Sequence, residues 1–181
     1  ALMEINSINE ALENYDQAIK LNNNFAVAYS NRSNPLKINN KIEEALRSIN
    51  TAIELDPTLA DAYYNKGTIY LEQNNLKEAI DNFNIAINID KNNAKYKYNL
   101  GIAMLTKGKL EQGWPLYEHR WELNKKEFTT PNKLKLIPNW KGKENIEGKT
   151  ILITHEQGLG DFIQLCRYAK NLKKMGAITI F

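Results

Sequence analysis

The sequence of 181 residues is poor in the residues that build disulfide scaffolds, metal sites and membrane spans. Its one cysteine, Cys166, cannot form a disulfide within the chain. The two histidines, His119 and His155, are not part of any spacing typical of a metal site, so we expect no metal and no cofactor. No run approaches the roughly 18 consecutive apolar residues of a membrane span. The opening ALMEINSINEALENY is acidic and is not a secretion signal, which favours a cytoplasmic protein away from membranes.

What is present is enough for a folded core and an uneven charge. Apolar residues make up 43% of the chain and charged residues 25%, as in a globular protein. The net charge is +3, and residues 124–181 are the basic part, with 11 Lys and Arg against 5 Asp and Glu. No nucleic-acid-binding motif accompanies this charge, so we expect no nucleic-acid partner and interpret the basic residues mainly as a solvated surface.

A pattern of small and large apolar residues recurs every 34 residues, and it is clearest in residues 60–93. Tyr63, Gly67 and Tyr70 fall on one stripe of a first helix, at spacings of three or four. A second helix carries its own stripe of Leu76, Ala79, Ile80, Phe83, Ala86 and Ile87. A glycine and alanines at the crossing let the two helices approach, while the aromatic rings fill the space beside them.

The same pattern extends in both directions. A step backward gives a repeat over 26–59, in which Pro35 is expected to kink or shorten the first helix. A step forward gives a modified repeat over 94–127, and residues 1–25 match only the second helix of a partial repeat. This pattern resembles the tetratricopeptide repeat (TPR), apart from Lys66 and Lys91 at the usual leucine and proline. The predicted fold is mainly α, a superhelix of about three and a half repeats over 1–123.

The pattern changes after residue 123. Residues 124–148 contain prolines and glycines and are predicted to be a linker. Within 149–181, the run 150–154 reads as a buried strand, a helix follows to about Met175, and 177–181 is again strand-like, a partial β-α-β Rossmann-like segment. In the loop before the helix, Gly158 and Gly160 permit a tight turn that could bind an anion. Asp161 is expected to cap the helix, and the same side chain could also serve a catalytic or ligand-binding role.

The run GWPLYEHRW, the later PNWKG, and EQGLGD with Arg167 and Tyr168 resemble bacterial TPR proteins that carry a glycosyltransferase-like domain. That domain is similar to heptosyltransferases and to O-GlcNAc transferases, which have two Rossmann-like halves in a GT-B architecture. The resemblance implies that Asp161 is a candidate general base, and that a sugar nucleotide binds mostly in a second half. We therefore expect a piece of a larger protein, not catalytic by itself, whose uncovered apolar faces could favour self-association.

The inner face of the repeats is the second candidate site. Asparagine occupies position 6 of each repeat, at Asn31, Asn65 and Asn99, and its amide can bond a peptide backbone. This resembles the asparagine ladder of O-GlcNAc transferase repeats, although asparagine is abundant here and chance recurrence is the alternative. Tyr64, Tyr98 and Ile102 join the same face, so the predicted function is binding of a peptide or protein partner in the groove.

Overall fold

The computed structural model describes residues 2–123, 138, 140, 142–153, 163 and 166–181. The chain separates into two compact units, Ala1–Asn124 and Lys125–Phe181. The described part is mainly helical, as predicted. No helix in it is long and apolar enough to cross a membrane.

The first unit is a row of helices joined by short turns, and its elements follow the 34-residue period. First helices of the repeats alternate with second helices, and each packs on its neighbours along the chain. The helices are α1 (Leu2–Leu21), α2 (Ala26–Ile38), α3 (Ile42–Leu55), α4 (Ala60–Glu72), α5 (Leu76–Ile89), α6 (Ala94–Thr106), α7 (Leu110–Tyr117) and the short α8 (Arg120–Leu123). Counting from Ala26, Ala60 and Ala94 as position 1 places α2, α4 and α6 in register as the three first helices.

The turn inside each repeat has the same backbone conformation three times. Position 15 is in the left-handed region, with φ of 59° at Asn40, 58° at Asn74 and 80° at Gly108. The next residue donates its N–H to the carbonyl five residues earlier, as in Lys41 to Leu36 at 2.8 Å. This is the Schellman ending of a helix, which suits asparagine and glycine because both tolerate positive φ. Each second helix therefore begins after a turn of the same backbone conformation.

The turn between repeats is held by a side chain instead. At position 31 the carboxylate of Asp56 accepts from the Thr58 backbone N–H at 2.9 Å, and Asp90 accepts from Asn92 at 3.3 Å. Asn22 occupies the same position before α2 and accepts from Asn24 at 3.0 Å. These are Asx turns, in which the side-chain oxygen replaces a backbone acceptor.

The core lies between the first and second helices, and it explains the glycine of the pattern. The phenyl ring of Phe83 is fully buried against Gly67, where an added Cβ would lie only 2.7 Å from two ring carbons. Two clusters of buried residues fill the stack: Leu36, Ala45, Ile49, Ala52, Ala62 and Ile69, then Ala79, Ile80, Phe83, Leu100 and Ala103. Small residues on one helix thus receive large residues from the next, as the sequence pattern predicts.

Pro35 is expected to kink or shorten the first helix of its repeat, and the expectation that it shortens the helix is wrong. Helix α2 has 13 residues, the same as α4 and α6, and Pro35 lies inside it. A proline cannot donate to the carbonyl four residues earlier, so only the Asn31 carbonyl loses its helical donor. The site is one turn from the end of the helix, and the neighbouring Ser33 hydroxyl donates to the Ser30 carbonyl at 2.6 Å. The helix therefore continues to Ile38.

The second unit contains a small parallel sheet in its described part. Strand β1 (Thr150–Leu152) pairs with β2 (Ile178–Ile180), with Thr150 opposite Ile178. A 3₁₀ turn at Cys166–Tyr168 and helix α9 (Ala169–Lys174) precede β2. The sheet of the described residues consists of these two strands. The structure therefore supports a mainly helical protein with a small parallel sheet, and the Rossmann-like character of the segment stays a prediction.

Candidate functional site

The candidate site is one stripe along the three first helices, which we call the inner face. It comprises positions 2, 5, 6, 9, 12 and 13 of each repeat, which fall within an arc of about 120° at 100° per residue. The buried residues Ala62, Ile69 and Ala103 lie outside this arc, and within it Ser30 and Asn65 are also buried. Helix α2 contacts α4 and α4 contacts α6, so the stripe is continuous from one repeat to the next.

Asn65 forms the first link across this face. Its side-chain nitrogen donates to the Ser30 carbonyl oxygen at 3.3 Å and to the Ser30 hydroxyl at 3.1 Å. Both residues are buried, Asn65 being 6% exposed, and they lie 35 residues apart. The amide therefore fixes the register between the first two repeats.

Asn99 forms the equivalent link one repeat later. Its side-chain nitrogen donates to the Tyr64 hydroxyl at 3.3 Å and to the Lys95 carbonyl at 3.0 Å. As with Asn65, the acceptor across the repeat boundary is position 5 of the preceding repeat. The asparagine at position 6 therefore contacts the preceding position 5 at two successive boundaries.

The remaining predicted residues of the groove lie on the same stripe. Asn31 and Ile102 are partly exposed at positions 6 and 9. Tyr98 packs on Tyr117 at a centroid distance of 5.2 Å, in the same way that Tyr64 packs on Phe83 at 5.9 Å. Aromatic side chains at position 5 thus pack on position 24 of their own repeat, and both tyrosines are partly exposed.

The charged side chains of the inner face are paired across repeat boundaries. Lys37 contacts Glu72 at 2.6 Å, and Lys95 contacts Asp61 at 3.1 Å. Lys95 Nζ also lies 4.3 Å from the centroid of the Tyr64 ring, within the range of a cation–π contact. These four are the only charged residues at the eighteen positions of the stripe, so its net charge is zero.

Two tyrosines of this network resist ionisation. Burial raises the pKa of Tyr96, and its hydroxyl donates to Asp61 at 2.9 Å, which adds to the increase. Burial also raises the pKa of Tyr64, with a further contribution from the charge of Asp61. The rings of Tyr64 and Tyr96 stack at 5.2 Å. Both hydroxyls therefore stay neutral at physiological pH and act as hydrogen-bonding groups.

Sequence reasoning missed the network around Asp61, which joins Lys95 and Tyr96 of the next repeat. A signal was available, because Asp61 and Lys95 both occupy position 2 and carry opposite charges. Lys37 and Glu72 also carry opposite charges and lie 35 residues apart, at positions 12 and 13 of successive repeats. Opposite charges at one position of successive repeats predict an ion pair between those repeats, provided that their first helices are neighbours.

The second group of predicted site residues belongs to the loop before the helix of the second unit. Asp161, Gly158 and Gly160 lie outside the described residues, and their proposed roles stay predictions. Within the described part no group of three or more His, Cys, Asp or Glu side chains is arranged to hold a metal ion.

A stack of helix pairs with a 34-residue period and an exposed stripe along its first helices defines a helical-repeat protein of the solenoid class. The profile of the family described as TPR repeat matches residues 1–34, 36–74 and 67–108, more than half of the chain. The protein belongs to the tetratricopeptide repeat family.

Solved structures of similar fold agree with this assignment. The crystal structure of YrrB, described as a TPR protein with an unusual peptide-binding site, is 32% identical with a TM-score of 0.57. The match covers 63% of this chain and 59% of YrrB, so the chain spans less than two thirds of that protein. A crystal structure of MamA protein is 23% identical over 76% of this chain and 72% of its own, with a TM-score of 0.56, and supports the fold alone. A comparison with curated proteins gives no match.

Proposed function

We propose that this protein is an interaction module that binds an extended peptide, or such a segment of a protein partner, on its inner face. The binding residues are Asn31, Tyr64, Asn65, Tyr98, Asn99 and Ile102. The observation that carries the proposal is the repeated amide contact from Asn65 and Asn99 to the preceding repeat, which holds polar groups in a line beside the partly exposed Tyr64 and Tyr98. An extended peptide has a regular series of backbone groups that such a line can bond.

Two further observations support the proposal. Val27 on the stripe is 43% exposed, and Leu71, Ile102 and Leu105 are partly exposed there, so apolar contacts are available beside the amides. YrrB, which is described as having a peptide-binding site, is 32% identical to this chain. Extended concave surfaces are also the usual binding surfaces of solenoid proteins.

Selection of phage-displayed random peptides on the immobilised protein tests the proposal. The variant N31A/N65A/N99A should lose binding to the selected peptides, while circular dichroism remains helical. Because Asn65→Ala leaves the buried Ser30 hydroxyl without its partner, at a cost of about 1–3 kcal/mol, N31A/N99A, which keeps Asn65, is the second variant. The matched control N14A/N84A/N88A changes three exposed asparagines of second helices and should bind normally. Unchanged binding by N31A/N99A would remove those two residues from the proposal, and unchanged binding by N31A/N65A/N99A would remove all three asparagines.

A second function is favoured by one observation in the second unit. Strands β1 and β2 are parallel, and parallel neighbours require a crossover connection such as the one that contains α9. This supports the hypothesis that the chain is the N-terminal portion of a bacterial TPR-containing glycosyltransferase that uses a sugar nucleotide, with Asp161 as general base. The coding sequence after Phe181 provides the test. A second nucleotide-binding half there would support the hypothesis, and a stop codon would contradict it.

Cytoplasmic location and self-association are part of the same proposal. Ile178 and Ile180 of strand β2 are 59% and 50% exposed, and such surfaces favour association of copies. Light scattering that gives a strict monomer at high concentration would contradict self-association, and fractionation of the producing cells would test the location.

A further inference from the structure

The asparagines of the inner face differ in the availability of their donor and acceptor groups, which their repetition in the sequence does not reveal. An asparagine amide can in principle donate and accept. The nitrogen of Asn65 donates two hydrogen bonds to Ser30, and the nitrogen of Asn99 donates one to Tyr64 and one to Lys95. The donating side of each amide is therefore already in use inside the protein.

The orientation of both amides is chemically determined. The Ser30 and Lys95 backbone carbonyls can only accept, so the atom facing each of them must be the amide nitrogen. The planar amide then directs its oxygen away from that partner. Within the described residues neither oxygen accepts a hydrogen bond. The Thr179 hydroxyl is the one polar side-chain atom there that is both fully enclosed and unpaired, so neither asparagine oxygen is fully enclosed. The oxygens of Asn65 and Asn99 are thus acceptors without a partner among the described residues that are not fully enclosed, although the Asn65 residue is only 6% exposed.

Charge on the same face is balanced before any partner binds. Lys37 with Glu72, and Asp61 with Lys95, cancel in pairs at 2.6 and 3.1 Å. A partner with acidic or basic residues would have to compete with these contacts for its own ion pair. The face therefore offers no net attraction to either sign of charge.

We propose that the occupant of the inner face is an uncharged, extended polypeptide segment whose backbone N–H groups donate to the oxygens of Asn65 and Asn99. Its aliphatic side chains contact Leu71, Ile102 and Leu105, which are partly exposed on the stripe. This inference rests on the proposed function and adds the class of partner. Partners that are acidic or basic are the alternatives that the test separates.

The probe is again a peptide selected from a random phage-displayed library and then synthesised. We expect the selected sequences to carry no net charge and to be rich in aliphatic residues. Their dissociation constants should change less than about twofold between about 50 and 500 mM NaCl, because no unpaired charge is involved. Selection of acidic or basic peptides whose affinity falls steeply with salt would overturn the inference and leave the binding function intact. Failure to select any peptide would overturn both.

Replacing single backbone amides of the peptide with esters tests the direction of the hydrogen bonds. An ester lacks the N–H donor, so one or two positions should weaken binding by about tenfold, the effect of one hydrogen bond. The most sensitive position should lose that sensitivity when the protein carries Asn99→Ala. A peptide that tolerates every ester would overturn the inference. Asp61→Asn is the charge control, since it unpairs Lys95 and should create salt-sensitive binding of acidic peptides.

Discussion

Substitution of Gly67 by alanine tests how tightly the helix pairs are packed. An added Cβ would lie 2.7 Å from both Cδ1 and Cε1 of Phe83, about 1 Å inside the usual carbon–carbon separation. The ring cannot move into solvent, because Phe83 is completely buried and packs on Tyr64. Overpacking of this kind costs about 1–3 kcal/mol, and two close ring atoms favour the upper part of that range.

The gain in helix propensity opposes this cost. Replacing glycine by alanine inside a helix is worth up to about 1 kcal/mol, so the expected net loss is about 2 kcal/mol in the free energy of unfolding. For a chain of this size, that corresponds to a decrease of about 4–8 °C in melting temperature. Urea titration followed by circular dichroism at 222 nm measures the first quantity, and a thermal scan measures the second.

A second variant shows whether the ring is the cause. In a Phe83→Leu background the rigid ring is replaced by a shorter side chain without the Cε1 and Cζ atoms, so Gly67→Ala should cost at least about 1 kcal/mol less than in the parent. Asn84→Ala, on the exposed side of α5, controls for helix propensity and should be neutral or slightly stabilising. A Gly67→Ala protein as stable as the parent, or one equally destabilised in both backgrounds, would refute the packing argument.

Three other outcomes are expected. Gly101→Ala should cost more than Gly67→Ala, because its Cβ would meet backbone atoms of α7 at 2.6 and 2.9 Å, and unfolding in urea compares the two. Lys66→Leu should raise the free energy of unfolding by about 0.5–2 kcal/mol in the same assay, since Leu100 at the equivalent position is 5% exposed; a lower value would contradict this. The raised pKa of Tyr96 predicts that this residue's contribution to the free energy of unfolding is constant below about pH 10 and is lost as the pH rises further, because ionisation is easier in the unfolded chain. Tyr96→Phe should reduce that alkaline loss when unfolding is measured between about pH 9 and 11, and an unchanged loss would contradict the assignment.

Much of the first unit could be predicted because its contacts are local. The spacing of Gly67 and Phe83 identifies two helices that must cross closely, and the 34-residue period says that the next pair does the same. The turn conformations followed the same period, with Asn40 and Asn74 in the left-handed region. The effect of Pro35 on helix length was mispredicted, because the cost of an interior proline depends on how many turns follow it.

The predicted groove residues illustrate the limit of such reasoning. The sequence places Asn65 and Asn99 on one stripe, yet it cannot say whether an amide points its nitrogen or its oxygen outward. That depends on the acceptor beside it, and Ser30 is 35 residues away. The loop with Asp161 lies outside the described residues and stays a prediction.

The sequence by itself determined the helix pairs, their period and the membership of the stripe, because these follow from apolar spacing within 34 residues. Only the tertiary structure decided which groups of the stripe remain available to a partner. Lys95 and Asp61 are charged in any conformation, but they cancel only when neighbouring first helices lie side by side. Hydrogen bonds and ion pairs of the surface depend on distances of a few ångströms between separate repeats, and stacking alone sets those distances.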